Sequence, residues 1–376
     1  MSAAILVSAG EASGDLYASE LVRKLASLRP DLSFFGCAGT RMEAAGVEPV
    51  IHASSLAVVG LVEVVRHIPR IYGEFRKLVR AAAERRPALA ILTDSPDFNL
   101  RLAKKLKRLG IPVVYLVAPQ VWAWRESRVR QLRRDLEHLL CIFPFEEPWF
   151  RQRGVQATYI GHPLTRIARA ATTRKEFFEC HGLTLARPLV VLLPGSRTGE
   201  VARHLQAVAD AAKRLPDTQC ILAAPAGFCA RAGASFFKER ISGWSIQVIE
   251  GETSDALAHA DVAIAASGTV TVEAALLGTP MVTFYRVTNL SWALGRRLVR
   301  VPFLTMVNLI AGHKIVPELM QDDATGERIA AEARVLLSDA EKRSEMKRAL
   351  AGVRETLSTP EHPMDRAARI ALEYLN

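Results

Sequence analysis

Short runs rich in Val, Ile and Leu alternate along this chain with stretches whose apolar positions recur at helical spacing. The runs predict strands at 3–9, 33–37, 48–52, 88–93, 112–117, 138–143 and 157–160. Helical patterns lie between several of them, at 15–28, 69–85, 97–109 and 146–153. The second half repeats the rhythm, with strands at 189–193, 219–223, 245–249, 262–266 and 280–284. Aliphatic strands separated by helices specify parallel sheets covered on both faces. The rhythm breaks between Pro163 and Arg187, which places a domain boundary near 164–171. From Thr325 onward the pattern is helical, and Ala367, Ile370, Ala371 and Tyr374 form a stripe on the last helix. The expectation is an α/β protein of two doubly wound, Rossmann-like domains facing each other across a cleft, with a helical C-terminal tail. Residues 1–165 form the first domain, 172–345 the second, and 346–376 pack back or onto a partner.

A length of 376 residues agrees with two domains at ~100–200 residues each. Apolar residues make up 49% and charged residues 23%, which excludes global disorder. The five cysteines (37, 141, 180, 220 and 229) show no CxxC or ligand-like spacing, so they read as reduced core thiols; no disulfide, metal site or cofactor is expected. The longest apolar run, residues 56–65, has ten residues and contains Glu63. A membrane-crossing helix needs ~20, and the chain opens without a basic leader, so a soluble or peripheral cytoplasmic protein is expected.

Charge changes the picture. The net charge of +10 suits anionic partners, and it is concentrated. Residues 66–86 hold seven Lys or Arg against two Glu, and 101–134 hold ten against Glu126.

Four turns carry candidate chemistry. Ala265-Ala266-Ser267-Gly268-Thr269 ends a strand and opens a helix, so Ser267, Gly268 and Thr269 can offer backbone N–H groups to a phosphate. Glu273, one turn deeper on the same face, suits a ribose diol, although an ordinary cap with a mid-helix Glu explains the same spacing. Leu193-Pro194-Gly195-Ser196-Arg197 sets a guanidinium on a glycine turn, as a diphosphate clamp or a plain surface turn. Gly10-Glu11-Ala12-Ser13-Gly14-Asp15 follows the first strand but is not GxGxxG. Asp94-Ser95-Pro96-Asp97-Phe98-Asn99 brackets a proline with two carboxylates; helix capping accounts for Asp94, and Asp97 remains a candidate general base. Trp122 and Trp124 precede a basic helix and could stack on bases, but no zinc ligands or nucleic-acid motif accompany them, so no nucleic-acid partner is expected. The histidines lack metal spacing, and only His162 sits at a strand end.

Together the motifs GEASGD (10–15), DSPDFN (94–99), APQVWAWR (118–125), FPFE (143–146), GHP (161–163), LPGSR (193–197), ASGTVTVEAAL (266–276) and NLIAG (308–312) resemble the lipid-A-disaccharide synthases, inverting glycosyltransferases of the GT-B fold. The family pattern has Pro where this chain has Val307. The resemblance implies condensation of UDP-2,3-diacylglucosamine with 2,3-diacylglucosamine 1-phosphate (lipid X), releasing UDP. It implies UDP on the second domain, at Arg197, Ser267, Gly268, Thr269, Glu273 and Asn308. The first domain then supplies the base, Asp97 with Glu11 the next candidate, and an acceptor side at Ser13, Asp94, Asn99, Trp124 and His162. It also implies a homodimer. A soluble relative such as a UDP-N-acetylglucosamine 2-epimerase would share the UDP site and needs no membrane. Acylated substrates imply work at the inner face of the inner membrane. Val58, Val59, Leu61 and Val62 are the expected membrane contacts, followed by a helix with Ile68, Ile71, Tyr72, Phe75, Leu78 and Val79 on one face. Burial of that face against a sheet is the competing reading.

Overall fold

In a computed structural model, residues 3–56, 61–233, 235–241, 244, 246–289, 292–293, 295, 299 and 301–375 are described, without the side chains of 61–68. Two parallel sheets organise them. The first runs β3-β2-β1-β4-β5-β6-β7, with β1 Ala4–Ser8, β2 Ser33–Ala38, β3 Val47–His52, β4 Leu89–Thr93, β5 Val113–Leu116, β6 His138–Cys141 and β7 Ala157–Tyr159. The second runs β10-β9-β8-β11-β12-β13, with β8 Leu189–Leu193, β9 Gln219–Ala224, β10 Gln247–Glu250, β11 Val262–Ala266, β12 Met281–Tyr285 and β13 Glu318–Met320. Every residue of β4, β8 and β11 is buried, as strands covered on both faces require.

Both sheets reverse their winding beside their first strand, between β1 and β4 and between β8 and β11. Such switch points separate neighbouring βα turns and create the crevice in which doubly wound sheets bind ligands. The four turns singled out in the sequence are the ones that follow β1, β4, β8 and β11. β13 escaped the sequence pattern: it has three residues and no β-branched side chain, and it forms only by pairing with β12.

The chain divides into two units, 1–163 with 357–376, and 164–356. Within the first unit, helix Pro363–Leu372 packs on helix Ala12–Leu28 and buries Met364, Ala367, Ala368, Ile370 and Ala371. Lys24 Nζ lies 3.0 Å from Asp365, and Tyr374 Oη lies 3.1 Å from His138 Nδ1. The cysteines differ in part from expectation. Cys37 and Cys141 are buried, but Cys180 is exposed because its short helix ends there.

Candidate active-site residues and family membership

In the first unit the turns after β1 and β4 lock together. Asp94 accepts hydrogen bonds from the N–H groups of Gly10 (2.7 Å) and Glu11 (3.0 Å), so its carboxylate sits at the start of helix Ala12–Leu28. Capping was expected on the helix that follows Asp94. That helix, Pro96–Arg108, has Ser95 at its N-cap with no side-chain cap bond, and Asp94 caps the neighbouring element instead. Gly14 is required by this arrangement, because a Cβ there would lie 1.7 Å from Asp94 Oδ2. Asp94 and Ser95 both adopt left-handed backbone, with φ of 48° and 38°. Such strain costs ~1–3 kcal/mol per residue and must be held. Asn99 holds it: its Nδ2 donates to the carbonyls of Thr93 (2.6 Å) and Asp94 (3.2 Å), and its Oδ1 accepts from Ser8 Oγ (2.8 Å). Tyr115 Oη donates to the Asp94 carbonyl at 2.5 Å. Burial pushes the Asp94 carboxyl up to about 8, against the pull of the Gly10 N–H and with help from the Glu11 charge.

Asp97 is different. It is exposed and faces two guanidinium groups, Arg125 at 3.0 Å and Arg128. Burial raises its carboxyl, but Arg128 and Arg125 more than cancel this and hold it below the usual range. Arg125 also stacks 3.9 Å over Trp124, which is 44% exposed. Glu11, Asp94 and Asn99 thus come together, with Asp97 on the first turn of the helix that follows and Ser13 half-buried in the first turn of the adjacent helix. His162 is buried between Tyr17 and Phe143, and burial pushes its imidazole down to about 3, so it is neutral.

Sequence reasoning missed two anchors in this unit. Asp15 accepts from the N–H groups of Gly39, Arg41 and Met42 and so fastens the turn after β2. Glu146, fully buried, accepts from Trp122 Nε1 (3.1 Å) and from the N–H groups of Ile142 (3.3 Å) and Phe143 (3.1 Å). The Glu that closes FPFE was the available signal.

In the second unit the turn after β11 corrects one expectation. Ser267 N–H donates to the Phe284 carbonyl at 2.9 Å, since pairing with β12 continues one residue past the strand, so it is not open to a ligand. Gly268, Thr269 and Val270 begin helix Thr269–Leu277, where first-turn N–H groups have no intrahelical acceptor. Glu273 is half-buried, and its Oε1 accepts from Ser254 Oγ at 2.6 Å. Burial raises this carboxyl while Ser254 lowers it.

Next to it, the turn after β8 is already filled by its own chain. Glu200 Oε2 accepts from Ser196 N–H (2.9 Å) and Arg197 N–H (3.4 Å), and a Cβ on Gly195, at φ +131°, would lie 2.4 Å from that oxygen. Those two N–H groups are therefore not open to a ligand, while the Arg197 side chain is exposed. His204, another anchor missed from sequence, donates from Nδ1 to the Pro194 carbonyl (2.7 Å) and accepts the Arg286 N–H on Nε2 (3.0 Å). Asn308 is fully buried with its amide committed. Oδ1 accepts from Ile315 (2.8 Å) and Val316 (3.0 Å), and Nδ2 donates to the Val316 carbonyl (3.1 Å) and Glu318 (2.8 Å). No polar atom of Asn308 is left over for direct UDP contact.

The expected membrane contacts Val58 and Val59 lie outside the described residues, as do the side chains of Leu61 and Val62. Below them, on helix Leu61–Arg85, Leu78 is buried and Phe75 and Val79 pack against the sheet core, while Tyr72 is 60% exposed. Among the described residues no helix is long and apolar enough to cross a membrane.

A family profile described as lipid-A-disaccharide synthetase matches residues 5–371. The chain belongs to the lipid-A-disaccharide synthase family. It is 60% identical over 372 residues to the lipid-A-disaccharide synthase of Solibacter usitatus, covering 99% of this chain and 97% of that protein. It is 45% identical over 376 residues to the lipid-A-disaccharide synthase of Koribacter versatilis, covering 98% and 97%. This family member shares its fold with solved structures of low identity. One is a UDP-GlcNAc 2-epimerase from Neisseria meningitidis bound to UDP-GlcNAc (TM-score 0.65, 11% identity, 99% of each chain). Another is the glycotransferase of kitacinnamycin (TM-score 0.64, 19% identity, 99% of each chain). The fold is GT-B, and the epimerase likeness extends to fold alone.

Proposed function

We propose that the turn and helix at 268–273 hold the UDP of the donor and that Asp97 is the base of the transfer. As a lipid-A-disaccharide synthase, the protein condenses UDP-2,3-diacylglucosamine with lipid X to give the disaccharide 1-phosphate and UDP, with inversion at the donor carbon. UDP is a good leaving group, so the site needs positive dipoles on the diphosphate more than a strong acid. The observation that carries the donor assignment is the Gly268–Val270 N–H edge, with Glu273 one turn deeper and Arg197 on the neighbouring turn. Asn308 then acts behind the site, by fixing 315–318. On the first unit, Asp94 and Asn99 set the turn that presents Asp97, while Ser13 and Trp124 flank the acceptor and Glu11 is the reserve base.

Titration with UDP tests the donor side. Glu273→Ala and Arg197→Ala should weaken binding at unchanged melting temperature, and wild-type affinity in both would refute the assignment. Asp97→Asn should keep UDP affinity and lose ~10²-fold or more in turnover, as for loss of a general base. Near-wild-type turnover would transfer the role to Glu11.

From the acylated substrates we infer that the enzyme works on the inner face of the inner membrane, with residues 58–62 and Tyr72 in the interface. Support comes from the apolar run and from the basic excess nearby, worth ~1 kcal/mol per cation near anionic lipid. Val58→Ser with Leu61→Ser should abolish the salt-resistant fraction on anionic vesicles. Undiminished binding by the folded variant would move the lipid contact elsewhere. The family expectation of a homodimer is checked by sedimentation equilibrium.

A further inference from the structure

The base assigned above is held by two cations. Arg125 Nη1 lies 3.0 Å from Asp97 Oδ1 and 3.4 Å from Oδ2, and Arg128 donates to the same Oδ1. Glu126, between the two arginines in sequence, turns to Arg153 at 2.8 Å. The cluster is open to solvent: the side chains of Asp97, Arg125 and Arg128 are 66%, 36% and 24% accessible. A carboxylate whose lone pairs are held by guanidinium groups accepts a proton poorly. Turnover therefore requires that the arginines be drawn away when the acceptor hydroxyl arrives.

The acceptor carries the group that can do this. Its anomeric phosphate has more charge and more oxygens than a carboxylate, and planar guanidinium forks bind phosphate in two-point fashion. We propose that Arg125 and Arg128 exchange Asp97 for the 1-phosphate of the acceptor, so that one binding event anchors the acceptor and frees its base. The 6-hydroxyl and the anomeric phosphate stand at opposite ends of the sugar ring. A fork that follows the phosphate is thereby carried off the carboxylate that meets the hydroxyl. Trp124, stacked 3.9 Å from the Arg125 guanidinium, supports that plane as it shifts. In the transfer step the 6-oxygen bonds to the donor anomeric carbon, its proton passes to Asp97, and the carbon–oxygen bond to UDP breaks with its electron pair leaving on UDP. Until a phosphorylated acceptor is present the base stays neutralised by its arginines, which protects the donor from attack by water.

This inference rests on Asp97 as the base, and the test separates the two. UDP release is measured with lipid X and with its 1-dephosphorylated analogue, on wild type, Arg125→Gln and Arg128→Gln, with UDP affinity and melting temperature checking the fold. Loss of a charged hydrogen bond is worth roughly 10- to 100-fold. Wild type should prefer the phosphorylated acceptor by that factor or more in kcat/KM, and each variant should cut the preference by about tenfold. Arg128→Lys, which keeps the charge but not the fork, provides a second folded variant and should fall between. Equal losses on both acceptors, with the preference intact, would mean the arginines only position Asp97 and would overturn the exchange. So would a wild type indifferent to the phosphate. Wild-type turnover by Asp97→Asn would remove the base reading itself.

Discussion

Gly14→Ala should destabilise the first unit, although the same change is favourable in most helices. Alanine is better than glycine in a helix by ~1 kcal/mol. At Gly14, however, the new Cβ would lie 1.7 Å from Asp94 Oδ2 and 2.6 Å from Asp94 Cγ, so the carboxylate must leave. Its departure strands the N–H groups of Gly10 and Glu11, bonded to it at 2.7 and 3.0 Å. A buried N–H left without its acceptor costs ~1–3 kcal/mol, so the net loss is about 1–5 kcal/mol after the helix gain. In a unit of this size that lowers the melting temperature by ~2 °C or more. Gly352→Ala is the control, since a Cβ there meets nothing within 4 Å, and it should gain up to ~1 kcal/mol. Thermal and urea melts of Gly14→Ala, Asp94→Ala and the double variant close the cycle. With Asp94 already removed, Gly14→Ala should reverse sign and stabilise. A Gly14→Ala protein that melts at or above wild type, or that loses the same amount without Asp94, refutes the reasoning.

Three further outcomes are expected. Burial lifts Glu146 from 4.5 to about 8, so its contribution to stability is full at low pH and is lost as pH rises through about 8; the stability gap between wild type and Glu146→Gln should shrink from about pH 5 to about pH 9, and a gap that widens would show an ionised Glu146. Asn308→Ala leaves the N–H groups of Ile315 and Val316 without their acceptor, which should cost about 2–4 kcal/mol in urea unfolding, while a ~100-fold loss of UDP affinity in the folded variant would show direct contact instead. Removing 357–376 uncovers the outer face of helix Ala12–Leu28 and should abolish cooperative melting of the first unit; an unchanged melt would show that the tail is dispensable.

The architecture was legible because it is written locally. Leu189–Leu193 and Val262–Ala266 are aliphatic throughout, and such runs have few alternatives to a doubly covered strand. The four candidate turns were legible because glycines, prolines and carboxylates interrupt those runs at strand ends. What each turn residue does was not legible, because its partner is remote. Gly14 is needed for Asp94, eighty positions away in sequence, and Asp94 caps a helix other than its own. Ser267 N–H is spent on Phe284, a pairing that exists only once β12 is in place. Asn308, read as a ligand contact, is consumed by a buried network with Glu318 on a strand too short to announce itself. Spacing shows where chemistry is concentrated; long-range hydrogen bonds decide which atoms remain free for it.

The return of helix Pro363–Leu372 to helix Ala12–Leu28 has a consequence for how the chain is made. The first unit is split around the second, so its opening 163 residues leave the ribosome lacking the last piece of their own core. Residues 164–356 must be translated before that piece follows, which at ~5–20 residues per second takes roughly 10–40 s. Throughout that interval the apolar face later covered by Met364, Ala367 and Ile370 stands uncovered. The second unit, encoded without interruption, has no such delay and is free to fold first. A chain truncated after residue 356 should accordingly show a protease-resistant second unit and a protease-sensitive first, with resistance of the first restored only when 357–376 are present.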